Sequence, residues 1–507
     1  MARGANRPDD RAAVGGEIAL DQRPDILLII CDQLTPSWLH CYGGPWPTPH
    51  IDRLAEAGMR LHQAACPWPV CSPSRASLIT GLYPHGHGIC HNVMRRDYPS
   101  VRSAPDQEGI RNSDRTLGQL LALAGYETWH NGKWHLTDED LWYYPQMFRE
   151  HLEYGRQMSP YFARVREQPR DTWLDWYGWA LPVEVSPAIR AAREGGALNE
   201  FLAKTGRVRM ALEDLYDTQV AERTVARLAQ VGSSPRLLTC SFNLPHDPYV
   251  APSPYYEAVR PQDVPTPADG STCAARFAGQ PARRWMEQLG QEGTREFLRV
   301  YAAKILLLDD LVGRVLAALE ASGRERNTIV VFTADHGDMA GAHGMITKST
   351  TAFYEDVVRV PLLVRWPGRI RAGTSAAAVN LVDLMPTLLD LTGHAVPADL
   401  HGRSLAPHLL GTGDRDGPDY AFCERLPSTG HRRRGLPEGG DFMVRGQGWK
   451  YVRYHDAEEF LYDLTADPGE SRNRAADPAC QSVKAELQGV LARWLTATGQ
   501  PSDGPAG

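Results

Sequence analysis

The chain has 507 residues, with 54 lysines and arginines against 61 aspartates and glutamates and a formal net charge of -7 at pH 7. That length accommodates one large α/β domain and a smaller one, and the mild acidity excludes a dedicated nucleic-acid binder. A hydrophobic share of 42% and nine irregularly spaced cysteines, an odd count without a metal-finger pattern, point to a soluble protein of a reducing, cytoplasmic compartment.

In chain order, residues 1–22 read as a flexible leader lacking an apolar signal-type stretch, and the main domain is expected over residues 23–415. Ile26–Ile30 is a continuous apolar run, the pattern of a strand buried on both faces and far too short to cross a membrane; it ends at Asp32. A helix is predicted from Thr48 to Ala57, with Thr48 as cap and Pro49 in its first position. From Cys71 a further helix is predicted: Pro73 fixes its first turn and Gly81 ends it. Cys71 then stands at the N-terminus, where free N–H groups favour anions, and Arg75 lies one turn on, facing back toward it. Leu117–Ala124 reads as a helix closed by Gly125, and Tyr126–Trp129 as a strand.

Residues 140–215 break this rhythm with Trp142, Tyr143, Tyr144, Trp173, Trp176, Tyr177 and Trp179. They are expected to form an insert that shapes a substrate pocket, with most rings packed as core; a sharper reading has some of them cage a quaternary ammonium. Arg236–Phe242 reads as a strand running into His246. Arg295–Ala321 reads as a long amphipathic helix with Asp309 and Asp310 as surface or capping charges, and Thr328–Thr333 as a buried strand running into Asp335. The basic cluster Arg432-Arg433-Arg434 reads as a solvated loop. Residues 416–507 are expected to form a small α+β domain, with strands at Phe442–Val444, Trp449–Tyr454 and Phe460–Asp463 and a helix at Ser482–Leu495.

The alternation of apolar strands and helices predicts an α/β fold: a large, mostly parallel sheet sandwiched by helices. Asp32, the segment at Lys133, His246 and Asp335 each follow the end of an apolar strand. Ligands of open α/β sheets bind outside those carboxyl ends, so the four segments are predicted to converge.

The run Cys71-Ser72-Pro73-Ser74-Arg75, continued by Leu78-Ile79-Thr80-Gly81, resembles the signature of type I sulfatases of the alkaline phosphatase-like superfamily. Gly125-Tyr126-Glu127-Thr128 followed by Gly132-Lys133-Trp134-His135 resembles their second signature. Asp32-Gln33 and Asp335-His336 are similar to the pairs found in choline sulfatases and phosphonate monoester hydrolases of that superfamily. The resemblance implies that Cys71 is converted to Cα-formylglycine by a formylglycine-generating enzyme and that its hydrate is the nucleophile. It implies one divalent metal ion, Ca²⁺ or Mn²⁺, held by Asp32, Gln33, residue 71, Asp335 and His336. Gln33 replaces a common second Asp and His336 a common Asn, which leaves one carboxylate fewer and brings in an imidazole.

The resemblance further implies that Arg75, Lys133 and Lys348 hold the sulfuryl oxygens, that His246 protonates the leaving oxygen, and that His135 takes the remaining diol proton. Asn92 is expected to contact substrate, and His85 and His343 match common family positions. The implied activity is hydrolysis of a small-molecule sulfate monoester to alcohol and inorganic sulfate, without nucleic-acid or membrane partners and with the oligomeric state open. A phosphonate monoester or phosphodiester hydrolase on the same scaffold is the alternative, and an unmodified, non-catalytic binding protein a further one.

Overall fold

The computed structural model describes residues 23–93, 109–111, 113–136, 173–176, 179–196, 198–413, 417–427 and 439–499. The expected leader, the arginine cluster at 432–434 and most of the aromatic insert, with the side chains of Trp173, Trp176 and Trp179, lie outside the described residues. The strands are β1 (Asp25–Asp32), β2 (Met59–Ala65), β3 (Glu127–Gly132), β4 (Trp173–Trp176), β5 (Trp179–Val185), β6 (Gly206–Val208), β7 (Arg236–Pro245), β8 (Val250–Pro252), β9 (Thr328–Ala334), β10 (Leu362–Arg365), β11 (Gly373–Asn380), β12 (Tyr420–Arg425), β13 (Asp441–Gly446), β14 (Trp449–Arg453) and β15 (Glu459–Asp463).

The central sheet has seven strands in the order β11-β2-β10-β9-β1-β7-β3. β10 runs antiparallel to both its neighbours and the other pairs are parallel. Helices cover the sheet, so β1, β7 and β9 are buried along their whole length, as their unbroken apolar runs require. Parallel register places Cys31 beside Ala334 and Asp32 beside Pro245, which brings the residues after the three central strands to one edge. The pieces β4-β5-β6-β8 form a smaller sheet, and β12 to β15 an antiparallel meander. Among the described residues no helix is long and apolar enough to cross a membrane.

The helix α1 (Pro49–Ala57) begins where predicted, but Thr48 does not cap it. Its hydroxyl donates to Asp52 instead, and the buried Asp309 accepts from the N–H groups of His50 (3.1 Å) and Ile51 (2.8 Å). A carboxylate brought in by tertiary packing satisfies the first-turn donors better than the local hydroxyl. α2 (Cys71–Thr80) closes at Gly81, whose φ of 67° is the left-handed conformation glycine adopts freely. The long helix α3 (Pro281–Ala321) starts before the predicted Arg295, continuing through a break at Gly290 (φ 62°). α4 (Gln481–Thr498) packs on the C-terminal meander.

That meander is fastened to the central body by buried charges. The Lys450 ammonium donates to the Phe353 carbonyl (2.6 Å) and pairs with Glu355 (3.2 Å) and Glu470. Glu424 accepts from the His85 backbone N–H (2.8 Å) and from its ring, while the other ring nitrogen meets the Thr498 carbonyl. His85 is thus a structural tie.

Candidate active site around Cys71

Cys71 occupies the first position of α2, a helix buried at every residue. Its N-terminus is tied to three other segments. Ser72 N–H donates to Asn92 Oδ1 (3.1 Å), Ser72 Oγ donates to the His135 carbonyl (2.6 Å), and Ser74 Oγ donates to the Asp335 carbonyl (2.5 Å). Lys133 is set by Gly132 at the end of β3. The φ there is +100°, and a Cβ would stand 1.9 Å from the Ser241 carbonyl oxygen, so only glycine fits.

Asp32, Cys71, Asp335 and His336 each present one ligand atom, and these atoms lie within 4.8 Å of one another, all buried. Cys71 Sγ is 3.2 Å from His336 Nε2 and 3.7 Å from Asp32 Oδ1. His336 Nδ1 donates to the Gly337 carbonyl (2.9 Å), which leaves the Nε2 lone pair for an ion. Two carboxylates and an imidazole fixed in the ligating tautomer fit a divalent metal. Gln33 directs its amide nitrogen to Asp338 (2.5 Å) and Tyr249 (2.9 Å), and its backbone N–H donates to Asp335 Oδ1.

Arg75, expected to face back toward Cys71, lies close enough for that thiol to act on its charge and also meets the carboxylates of the cluster. Its Nε pairs with Asp335 (2.7 Å), and Nη1 donates to the Lys133 carbonyl (3.0 Å) and Ser241 Oγ (2.8 Å). Nη2 stands 3.5 Å from Asp32. The guanidinium braces the two carboxylates of the cluster. Lys133 pairs directly with Asp32. Burial opposes charge on Asp32, yet His246, Lys133 and Arg75 hold its carboxyl well below the usual range.

Lys348 Nζ is 3.3 Å from Cys71 Sγ and 2.8 Å from His246 Nε2, while His246 Nδ1 faces Asp247 Oδ1 at 3.0 Å. Burial disfavours both cations. Asp247 and Asp32 nevertheless raise His246 above the ordinary imidazole value, and Cys71, Asp32 and Asp247 raise Lys348. Two donors at 2.8 Å need a lone pair between them, so the pair carries a single shared proton at that contact. His135 is the opposite case. Burial and the neighbouring Lys133 push its imidazole below the ordinary value, and its Nδ1 makes no hydrogen bond among the described residues. Asn92 holds the start of α2 through its carbonyl oxygen. His343 stacks on Tyr354 at 3.7 Å, a packing role.

The sequence reading passed over the supports. Asp247 orients His246. Asp338 and Tyr249 orient Gln33, and Tyr301 donates to the Gln33 carbonyl (2.9 Å). The buried Lys304 donates to the carbonyls of His246 and of Pro248 (2.7 Å), and burial holds its ammonium down to about 8. A lone lysine in the apolar run Ala302-Ala303-Lys304-Ile305-Leu306 was the visible signal.

The chain matches the profile of the family described as Sulfatase over residues 24–394, and that of N-sulphoglucosamine sulphohydrolase, C-terminal, over residues 341–496. It is 28% identical to the Delta 4,5-hexuronate-2-O-sulfatase of Bacteroides thetaiotaomicron, across 96% of this chain and 91% of that protein. It is also 28% identical to the choline-sulfatase of Rhizobium meliloti, across 90% and 83%. The solved phosphonate monoester hydrolase of Agrobacterium radiobacter superposes with a TM-score of 0.74 at 24% identity, covering 94% of this chain and 96% of that one, and shares its fold.

Proposed function

Because this chain belongs to the sulfatase family and is a sulfuric ester hydrolase of alkaline phosphatase-like fold, we propose that oxidised Cys71 is the nucleophile through which it cleaves its sulfate ester. The observation that carries this reading is the position of Cys71 itself. It lies at the N-terminus of a buried helix, within reach of Asp32, Asp335 and His336 on one side and Lys348 on the other.

Cys71 Sγ marks where an oxygen of the hydrated formylglycine would stand, and that group supplies a nucleophile no ordinary side chain offers. Asp32, Asp335, His336 and the Gln33 amide oxygen would hold the divalent ion. The imidazole suits Mn²⁺, the oxygen donors Ca²⁺, and the bound ion supplies Lewis-acid stabilisation of charge on the sulfuryl oxygens. Lys348 and Lys133 present ammonium groups toward the same oxygens. Arg75 keeps the carboxylates in place. The proton shared by His246 and Lys348, next to Cys71, would pass to the leaving alcohol oxygen, so this pair acts as the general acid. His135, kept neutral by its surroundings, accepts the proton that frees sulfate from residue 71. Environments that drive two histidines in opposite directions divide the acid and base roles between them. The irregular cysteines support a reducing, cytoplasmic setting for the mature enzyme.

Mass spectrometry of the tryptic peptide Leu61–Arg75 from the native host is expected to show an aldehyde at position 71. Sulfate release is expected to stop in chelator and to return with Mn²⁺ or Ca²⁺. Full turnover by protein with an intact thiol there would overturn the assignment. So would a phosphonate or diester rate far above every sulfate ester rate.

A further inference from the structure

A cavity of about 420 Å³ opens beside the nucleophile, within the size range of small-molecule sites. Its position is fixed by three wall residues. Val70 precedes Cys71, Asn92 holds the N–H of Ser72, and Thr350 follows Lys348 by two positions. The opposite wall comes from the C-terminal meander, with Arg425 at the end of β12, Asp441 at the start of β13 and His455 just after β14.

The hydrogen-bonding state of these walls is one-sided. Asp441 is buried, and it is the one carboxylate among the described lining residues. Its Oδ2 accepts from Arg425 Nε (2.6 Å), and its Oδ1 accepts from the His455 backbone N–H and faces the ring Nδ1, both at 2.8 Å. Asp441 is therefore consumed in aiming Arg425 and His455. Arg425 Nη1 makes no hydrogen bond among the described residues. The Trp68 indole N–H is buried, with the ring 4% exposed, and has no hydrogen-bond partner among the described residues. The Asn92 carbonyl is engaged at Ser72, which leaves its NH₂. Guanidinium, indole N–H and amide NH₂ all ask for oxygen acceptors, and a buried donor left unmet is costly. Trimethylammonium offers no acceptor, and no free carboxylate among the described lining residues would balance its charge.

We infer that this cavity receives the leaving group and that the leaving group is an acidic sugar, a ring of hydroxyls bearing a second anionic oxygen group besides the sulfate that is cleaved. The inference rests on the sulfatase reading above and specifies its substrate class. The second anion meets Arg425, the ring lies against Trp68, and hydroxyls meet Asn92 and His455. Asp441 is a positioning residue.

The test measures kcat/KM for sulfate release by the metal-loaded, oxidised enzyme on five esters: a monosulfated uronic acid, a disulfated hexosamine, a monosulfated neutral hexose, choline sulfate and an aryl sulfate. An acidic sugar is expected to lead the neutral hexose by about tenfold or more, the worth of one hydrogen bond to a charged group. The first two arms distinguish carboxylate from second sulfate as the recognised anion. Arg425→Met is expected to collapse that lead, with the loss carried mainly by KM, and Arg425→Lys to restore part of it. Trp68→Phe, which keeps a ring and removes only the N–H, is expected to weaken both sugars relative to the aryl ester. Choline sulfate as the best substrate overturns the inference, as does an Arg425→Met enzyme whose five rates fall in parallel. An enzyme that releases sulfate from none of the five defeats the sulfatase reading itself, and the inference with it.

Discussion

Replacing Arg75 with methionine separates bracing from substrate binding. The guanidinium is 3% exposed, and its partners are Asp335, Asp32, the Lys133 carbonyl and Ser241. Methionine fills the volume but leaves two fully buried carboxylates short of counter-charge. Removing one member of such a buried network costs about 3–5 kcal/mol. A chain of this length unfolds with an entropy of about 1 kcal/mol per kelvin, from ~2.1 cal/mol/K per residue, so the variant should melt about 3–5 °C below the parent in chelator. A divalent ion replaces part of the missing positive charge, so the deficit should shrink when metal is added. Differential scanning calorimetry with and without metal reads both numbers. An Arg75→Met protein that melts with the parent in chelator while its KM alone rises would refute the bracing role and return Arg75 to the substrate.

His246→Gln is expected to lower kcat/KM about a hundredfold or more for alkyl sulfates and far less for a nitrophenyl sulfate, whose leaving group needs no proton; equal losses on both would exclude the general-acid role. Gly132→Ala should cost about 3 kcal/mol or more and lower activity with it, because the new Cβ would meet the Ser241 carbonyl at 1.9 Å and displace Lys133; an unchanged melting curve would contradict that contact. Burial works against charge on His85, but Glu424 raises its pKa above the ordinary value. A group raised on folding stabilises fully below its unfolded pKa of about 6.5 and ceases to do so as pH climbs through the folded value. The parent should therefore lose thermal stability above pH 6.5 more steeply than His85→Gln, and parallel pH profiles would exclude the linkage.

Much of the centre was legible because its residues are local to strand ends. Asp32, Lys133, His246 and Asp335 each follow an apolar strand, and parallel pairing brings such ends together whatever lies between. The helix from Cys71 to Gly81 was legible for a similar reason, its N-terminal turn and its left-handed stop both being encoded within the segment. What escaped was set by partners distant in sequence. Thr48 reads as a cap until Asp309, from a helix far along the chain, takes that place. Arg75 reads as facing the nucleophile, but that two buried carboxylates also hold it could not be read from its own segment. Gln33 reads as a ligand, but the direction of its amide depends on Asp338 and Tyr249. The aromatic insert, expected to shape a substrate pocket, lies mostly outside the described residues; the described cavity next to Cys71 is walled partly by β12 and β13, segments that carry no motif.

The charge cluster at Lys450 bears on how the molecule is divided. A cut near residue 415 looks natural in the sequence, yet it would sever a lysine from the Phe353 carbonyl and Glu355, and Glu424 from His85. Lys450 would keep only Glu470, while Glu355 would lose its lysine and Glu424 its histidine. The two family profiles overlap between residues 341 and 394, across the stretch that supplies Phe353 and Glu355. Chimaeras exchanging the C-terminal sheet between relatives should therefore take their junction upstream of 341, so that Phe353, Glu355 and Lys450 travel together, and should keep a histidine at 85 to meet Glu424.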